Sequence, residues 1–108
     1  MNDSQFIKQI NQIFQNTQDL IEKNFEKHCE SEHQEGILNI FFKNEEYVIN
    51  RNIIQKQIWV SSPFSGTHYF NYNNKNKKWI KTKNAKIEFQ SFLIEDIKNN
   101  IKKNEKKN

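Results

Sequence analysis

Residues 56–62 read Lys56-Gln57-Ile58-Trp59-Val60-Ser61-Ser62. Apolar and polar side chains alternate here with period 2, as in a strand buried on one side only. Ile58 and Val60 form one face; Gln57, Trp59 and Ser61 form the other. A sheet containing this strand has one packed face and one open face, with a Trp on the open side. Upstream, Ile37–Phe42 and Tyr47–Asn50 read as strands joined by a turn at Lys43–Glu46, and Gln55–Ser62 is the third. Downstream, a Pro63–Gly66 turn leads to His68–Tyr72 and Trp79–Thr82, a hairpin across the Asn/Lys-rich loop 73–78.

Helical periodicity flanks the strands. From Asn2 to about His28, Phe6, Ile10, Ile13, Thr17 and Ile21 recur at three or four residues, flanked by Phe14 and Phe25. Asn2, Asp3 and Ser4 supply cap candidates. From about Ile87 to Ile101, Phe89, Phe92, Leu93 and Ile97 fall on one side. Helix, short strands, then helix predicts an α+β two-layer sandwich, with the N- and C-terminal helices packed on one face of an antiparallel sheet. Residues 1–101 form one domain, and 102–108 a polar tail with no large apolar residue.

Composition fits a small core. The 108 residues are 34% hydrophobic and 28% charged, so nine Phe, three Tyr and two Trp must supply much of the buried area. No apolar run approaches the roughly 20 residues of a membrane span, and no signal-peptide core opens the chain. Both point to a cytoplasmic protein. Residues 1–50 carry four Lys and nine Asp/Glu, whereas residues 51–108 carry 13 Lys/Arg and four Asp/Glu. The chain is a dipole in sequence.

Chemistry-bearing residues are few. At 100° per residue Asp19, Glu22 and Glu26 share one side of the first helix, opposite its apolar stripe. Glu30 and Glu32 point the same way along the extended segment that follows. Carboxylate oxygens in a row suit hard cations, held weakly and with water retained, because no closed site is spaced here. A carboxylate-rich solvated face has the same pattern. His28, Cys29 and His33 lack a fourth ligand and make a poor zinc motif. A single Cys excludes an intramolecular disulfide. With Gly36 and Gly66 the only glycines, no phosphate loop exists, and a built active site is not supported. Trp59 on an open sheet face suits an anchor for a protein partner; a Trp that merely covers the sheet with its neighbours has the same pattern. The Lys-rich second half leaves a basic nucleic-acid-binding module as the alternative. Against it, Lys81, Lys83 and Lys86 are not interleaved with exposed aromatics.

The runs Gly36-Ile37-Leu38-Asn39-Ile40, Tyr47-Val48-Ile49-Asn50-Arg51 and Lys56-Gln57-Ile58-Trp59-Val60-Ser61-Ser62-Pro63-Phe64-Ser65-Gly66 together resemble the frataxin family. The opening Met1-Asn2-Asp3-Ser4-Gln5-Phe6 is similar to its bacterial branch, the CyaY proteins. This resemblance implies an iron-binding accessory of iron–sulfur cluster assembly that delivers iron to, or regulates, a cysteine desulfurase–scaffold complex. Iron, Fe(II) or Fe(III), would be held weakly and reversibly by Asp19, Glu22, Glu26, Glu30 and Glu32. Asn50, Gln57 and Trp59 would meet the partner. The resemblance further implies a monomer, or an oligomer assembled by iron, in a bacterial cytoplasm rather than a mitochondrial matrix, with weak ferroxidase activity in some members. Lys23 and Lys27 interrupt the acidic row, and Tyr69 stands where eukaryotic members carry arginine. Lys75, Lys77 and Lys78 have no counterpart in the family pattern.

Overall fold

Asn2 starts the first helix with a reciprocal cap: its side chain accepts from the Gln5 amide at 2.8 Å, and the Gln5 side chain accepts from the Asn2 amide at 2.9 Å. The computed structural model describes residues 1–106. Helix α1 spans Asp3–Phe25 and is followed by β1 (Glu30–Gln34), β2 (Ile37–Phe41), β3 (Glu46–Asn52) and β4 (Gln57–Ser62). Then come β5 (Gly66–Asn73), β6 (Lys78–Lys81), β7 (Asn84–Glu88) and α2 (Phe89–Lys106). The seven strands form one antiparallel sheet in chain order, each paired with its sequence neighbour. This is the expected architecture of two helices on one face of an antiparallel sheet.

The packed face follows from alternation. Phe6, Ile10, Phe14, Thr17, Ile21 and Phe25 of α1 are buried. They meet Leu38, Ile40, Tyr47, Ile49, Ile58, Val60, Phe70 and Trp79 from the sheet and Phe89, Leu93 and Ile97 from α2. Phe14 and Phe25 belong to the buried line itself, while Ile13 lies at its margin. Rings carry the layer contact: Phe6 meets Trp79 edge-on at 5.8 Å, and Phe70 meets Phe89 at 5.5 Å. Tight turns keep the meander in register. Gly36, at φ +77, closes the β1–β2 hairpin in a conformation other residues rarely adopt.

Several boundaries differ from the sequence pattern: helix α1 ends at Phe25, short of His28, and β5 and β6 begin at Gly66 and Lys78. Residues 84–88 form β7, and helix α2 begins at Phe89 rather than Ile87. Glu88 makes that switch, its carboxylate accepting from the amides of Gln90 and Ser91 at 2.8 and 3.1 Å. Gln55 and Lys56 belong to a turn, with Lys56 at φ 54 and its ammonium on the Asp3 carboxylate. Helix α2 continues past Ile101 through Lys106, and Lys103 Nζ lies 5.6 Å over the Phe64 ring. The last two residues of the expected tail lie outside the described residues.

A buried carboxylate crosses the packed layer. Asp96 of α2 is 6% exposed, and its carboxylate accepts from Tyr47 Oη at 2.8 Å, Ser62 Oγ at 2.6 Å and Ser65 Oγ. Ser62 Oγ in turn accepts from the amides of Phe64 and Ser65, both at 3.0 Å. The carboxylate therefore joins α2 to β3, β4 and the β4–β5 turn. Burial and the adjoining Asp96 carboxylate, first and second in effect, push the Tyr47 hydroxyl far above its ordinary range. Asp96→Ala would leave Tyr47 Oη and Ser62 Oγ without their buried acceptor, and we expect a loss of about 3 kcal/mol in a urea unfolding titration. A loss below about 1 kcal/mol would show that the sheet and α2 hold together without this group.

Candidate functional site: an acidic edge and an open sheet face

Strand register decides which side chains share the open face. Glu30 and Glu32 alternate with Ser31 and His33, which are partly covered by α1. Glu22 Oε1 accepts from Ser31 Oγ at 3.3 Å, and Gln18 Nε2 donates to Ser31 Oγ at 3.2 Å. The helical carboxylates Asp19, Glu22 and Glu26 thus run along one side of edge strand β1, and Glu30 and Glu32 project from its other side. All five are exposed. The structure brings them to one edge of the molecule in two rows, not into one cluster. Among the described residues no three His, Cys, Asp or Glu side chains converge in metal-binding geometry.

The edge still favours cations. Glu22 and Glu26 lie in the last turn and at the C-cap of α1, where the helix dipole adds negative potential. Asp19 Oδ1 is held by Gln15 Nε2 at 3.1 Å. A hydrated cation at such a surface would keep its water, so binding there would be weak and exchangeable. The nearby soft donors take other roles. Burial pushes the Cys29 thiol up to about 11, so it stays protonated near neutrality. His33 faces α1, with Nδ1 at 3.2 Å from Gln15 Oε1 and its ring edge-on to Phe14. His28 lines a cavity of about 440 Å³ between Phe42, Glu45 and Ile101 at the end of α2.

Trp59 projects from the helix-free face, as the alternation predicts. It pairs in register with Asn50 on one side and Tyr69 on the other. The same register line continues through Ile37 to Gln34, so Gln34, Ile37, Asn50, Trp59 and Tyr69 cross five strands in one row. Ile37 and Tyr69 are each 39% exposed, large apolar surface left open to water. Neither stands out in sequence, because each becomes informative only once its strand partner is known. Trp59 itself is half-buried: its ring meets Tyr69 edge-on at 5.3 Å, and Nε1 donates to Gln57 Oε1 at 2.8 Å.

Lysines gather at the opposite edge. Lys75, Lys77 and Lys78 lie at the β5–β6 turn, with Lys81, Lys83 and Lys86 on β6, the next turn and β7. Ion pairs among the described residues are Arg51–Glu35 at 3.5 Å and Lys56–Asp3, so none of these six is paired there.

Comparison with known proteins places this geometry. A family model described as Frataxin-like domain matches residues 1–103. The chain is 33% identical over 94 residues to "Iron-sulfur cluster assembly protein CyaY" of Psychromonas ingrahamii, covering 86% of this chain and 85% of that protein. A solved structure of frataxin from that organism superimposes with a TM-score of 0.74 at 31% identity, over 86% of this chain and 85% of that one. Mitochondrial frataxin of Dictyostelium discoideum is 42% identical over 52 residues, 47% of this chain and 27% of that protein, so the chain spans about a quarter of that relative. Trimeric yeast frataxin from Saccharomyces cerevisiae, complexed with ferrous, gives a TM-score of 0.70 at 26% identity, over 83% and 82% of the two chains. An open sheet face carrying Trp59, an acidic first edge and this extent of similarity lead to one conclusion: the chain belongs to the frataxin-like family, alongside its bacterial CyaY members.

Proposed function

We propose that this protein is an iron-carrying accessory of iron–sulfur cluster assembly that docks on a cysteine desulfurase–scaffold complex. The observation that carries the reading is the register line of Ile37, Asn50, Trp59 and Tyr69, a partly exposed band that ends at Gln34 of β1, two residues along that strand from Glu32. From β1 to β4 is three strand spacings, roughly 15 Å, so one partner surface can cover both. Names of relatives support the pathway: the Psychromonas protein is called an iron–sulfur cluster assembly protein, and the yeast structure holds ferrous iron. In this reading iron is cargo. Asp19, Glu22, Glu26, Glu30 and Glu32 attract it, and Asn50, Gln57 and Trp59 hold the partner.

Two substitutions separate the parts. Glu22→Gln with Glu26→Gln removes two exposed charges that pack on nothing apolar, so it weakens iron binding severalfold in calorimetric titration and leaves the thermal midpoint in place. Unchanged affinity would move the cargo site away from α1. Trp59→Ala removes an aromatic anchor, typically on the order of 2 kcal/mol or roughly thirtyfold in affinity, and leaves the circular dichroism spectrum and iron binding intact. Equal binding of this variant to the desulfurase–scaffold complex would contradict docking through the open face.

A further inference from the structure

Trp59 does not offer its hydrogen-bond donor to a partner. Its Nε1–H already points along its own strand to Gln57 Oε1 at 2.8 Å. Gln57 Nε2 reaches the cross-strand Asn71 Oδ1 at 3.4 Å, and Thr82 Oγ1 lies 2.6 Å from that same oxygen. Thr82 is fixed in turn by its backbone amide, which donates to the Tyr69 carbonyl at 2.9 Å. Two strands, β4 and β5, and the β6–β7 turn thus contribute to a line of side chains ending on the indole nitrogen. On the ring's other flank Tyr69 stands edge-on at 5.3 Å. The indole is held in one orientation before any partner arrives.

Resting on the docking reading above, we infer that Asn71 and Thr82 position Trp59 through Gln57, so that the band of Ile37, Trp59 and Tyr69 receives an uncharged, apolar-tipped segment of the partner protein by apolar contact, without the indole N–H. The chemistry of the occupant follows from charge. No Asp, Glu, Lys or Arg stands in the register line from Gln34 to Tyr69. A charged partner group pressed against it would lose water with no counter-ion to replace it. Aliphatic or prolyl side chains lose nothing polar on burial there. Fixing the ring beforehand removes rotamer entropy that binding would otherwise cost, an effect of about two- to tenfold in affinity for one large side chain.

The test uses the full chain, its Trp indole N–H signals in NMR, and its affinity for the cysteine desulfurase–scaffold complex of the same organism. Asn71→Ala and, independently, the surface variant Thr82→Val should shift the Trp59 Nε1–H signal and speed its exchange with solvent. The signal of buried Trp79 should stay in place as a control for folding. Each variant should weaken the complex about two- to tenfold. Trp59→Phe keeps a ring without the donor; it should cost a similar factor, far less than Trp59→Ala, and adding Asn71→Ala to it should cost nothing more. The ratio of wild-type to Trp59→Ala affinity should not change between low and high salt. An unmoved Trp59 signal in both variants, or Trp59→Phe as damaging as Trp59→Ala, overturns the inference while docking through Trp59 stands. A ratio that collapses with salt overturns the uncharged occupant in favour of a cation on the ring. Full binding by Trp59→Ala overturns the docking reading and this inference together.

Discussion

A buried carboxylate holds the two layers in the arrangement on which the rest depends. Asp96 sits within a largely apolar layer, and three hydroxyls from Tyr47, Ser62 and Ser65 converge on it. Apolar packing alone tolerates sliding, because Ile and Leu contacts are not directional. Hydrogen bonds to a desolvated carboxylate are directional and costly to break. They fix α2 against β3 and β4 and clamp the turn after β4 through Ser62. With that end pinned, a one-residue slip of β4 would place Trp59 in the core and Ile58 in water. The outward position of Trp59 is thus a consequence of an interaction on the opposite face of the sheet.

The meander topology gives a second constraint. Because strands lie in chain order, the charge asymmetry along the sequence becomes an asymmetry in space. The acidic β1 edge and the lysines of β6 and β7 are separated by five to six strand spacings, roughly 24 to 29 Å. This far exceeds the screening length of about 8 Å at physiological salt, so the two edges act independently and the neutral band lies between them. In the proposed docking, the charged edges would orient a partner of complementary charge and the band would hold it.

Much of this was legible in one strand. Alternation in residues 57–61 sorts Ile58 and Val60 from Trp59, and the 3.6-residue stripe of α1 sorts Asp19, Glu22 and Glu26 from the core. Both are local periodicities, which is why they survive without a structure. Asp96 was not legible: a lone Asp between Glu95 and Ile97 has no period of its own, and its partners lie 31 to 49 residues away. Strand β7 escaped for a similar reason, since Asn84-Ala85-Lys86 is polar, exposed and shaped by its pairing with β6. Ile37 and Tyr69 belong to the open band only through cross-strand register. Glu30 and Glu32 do point the same way, yet on the side of β1 opposite Glu22, a distinction that needs the helix and strand placed together.

In the proposed docking one partner covers the acidic edge and the open face at once. Titrating the unlabelled desulfurase–scaffold complex into the isotopically labelled protein, and following backbone amide signals, tests it most directly. The account predicts losses of intensity confined to the exposed side of α1 and β1 around Glu22 and Glu32 and to Ile37, Asn50, Gln57, Trp59 and Tyr69, with Lys75–Lys86 unaffected. Losses centred on Lys75–Lys86, or none on the open face, would contradict it.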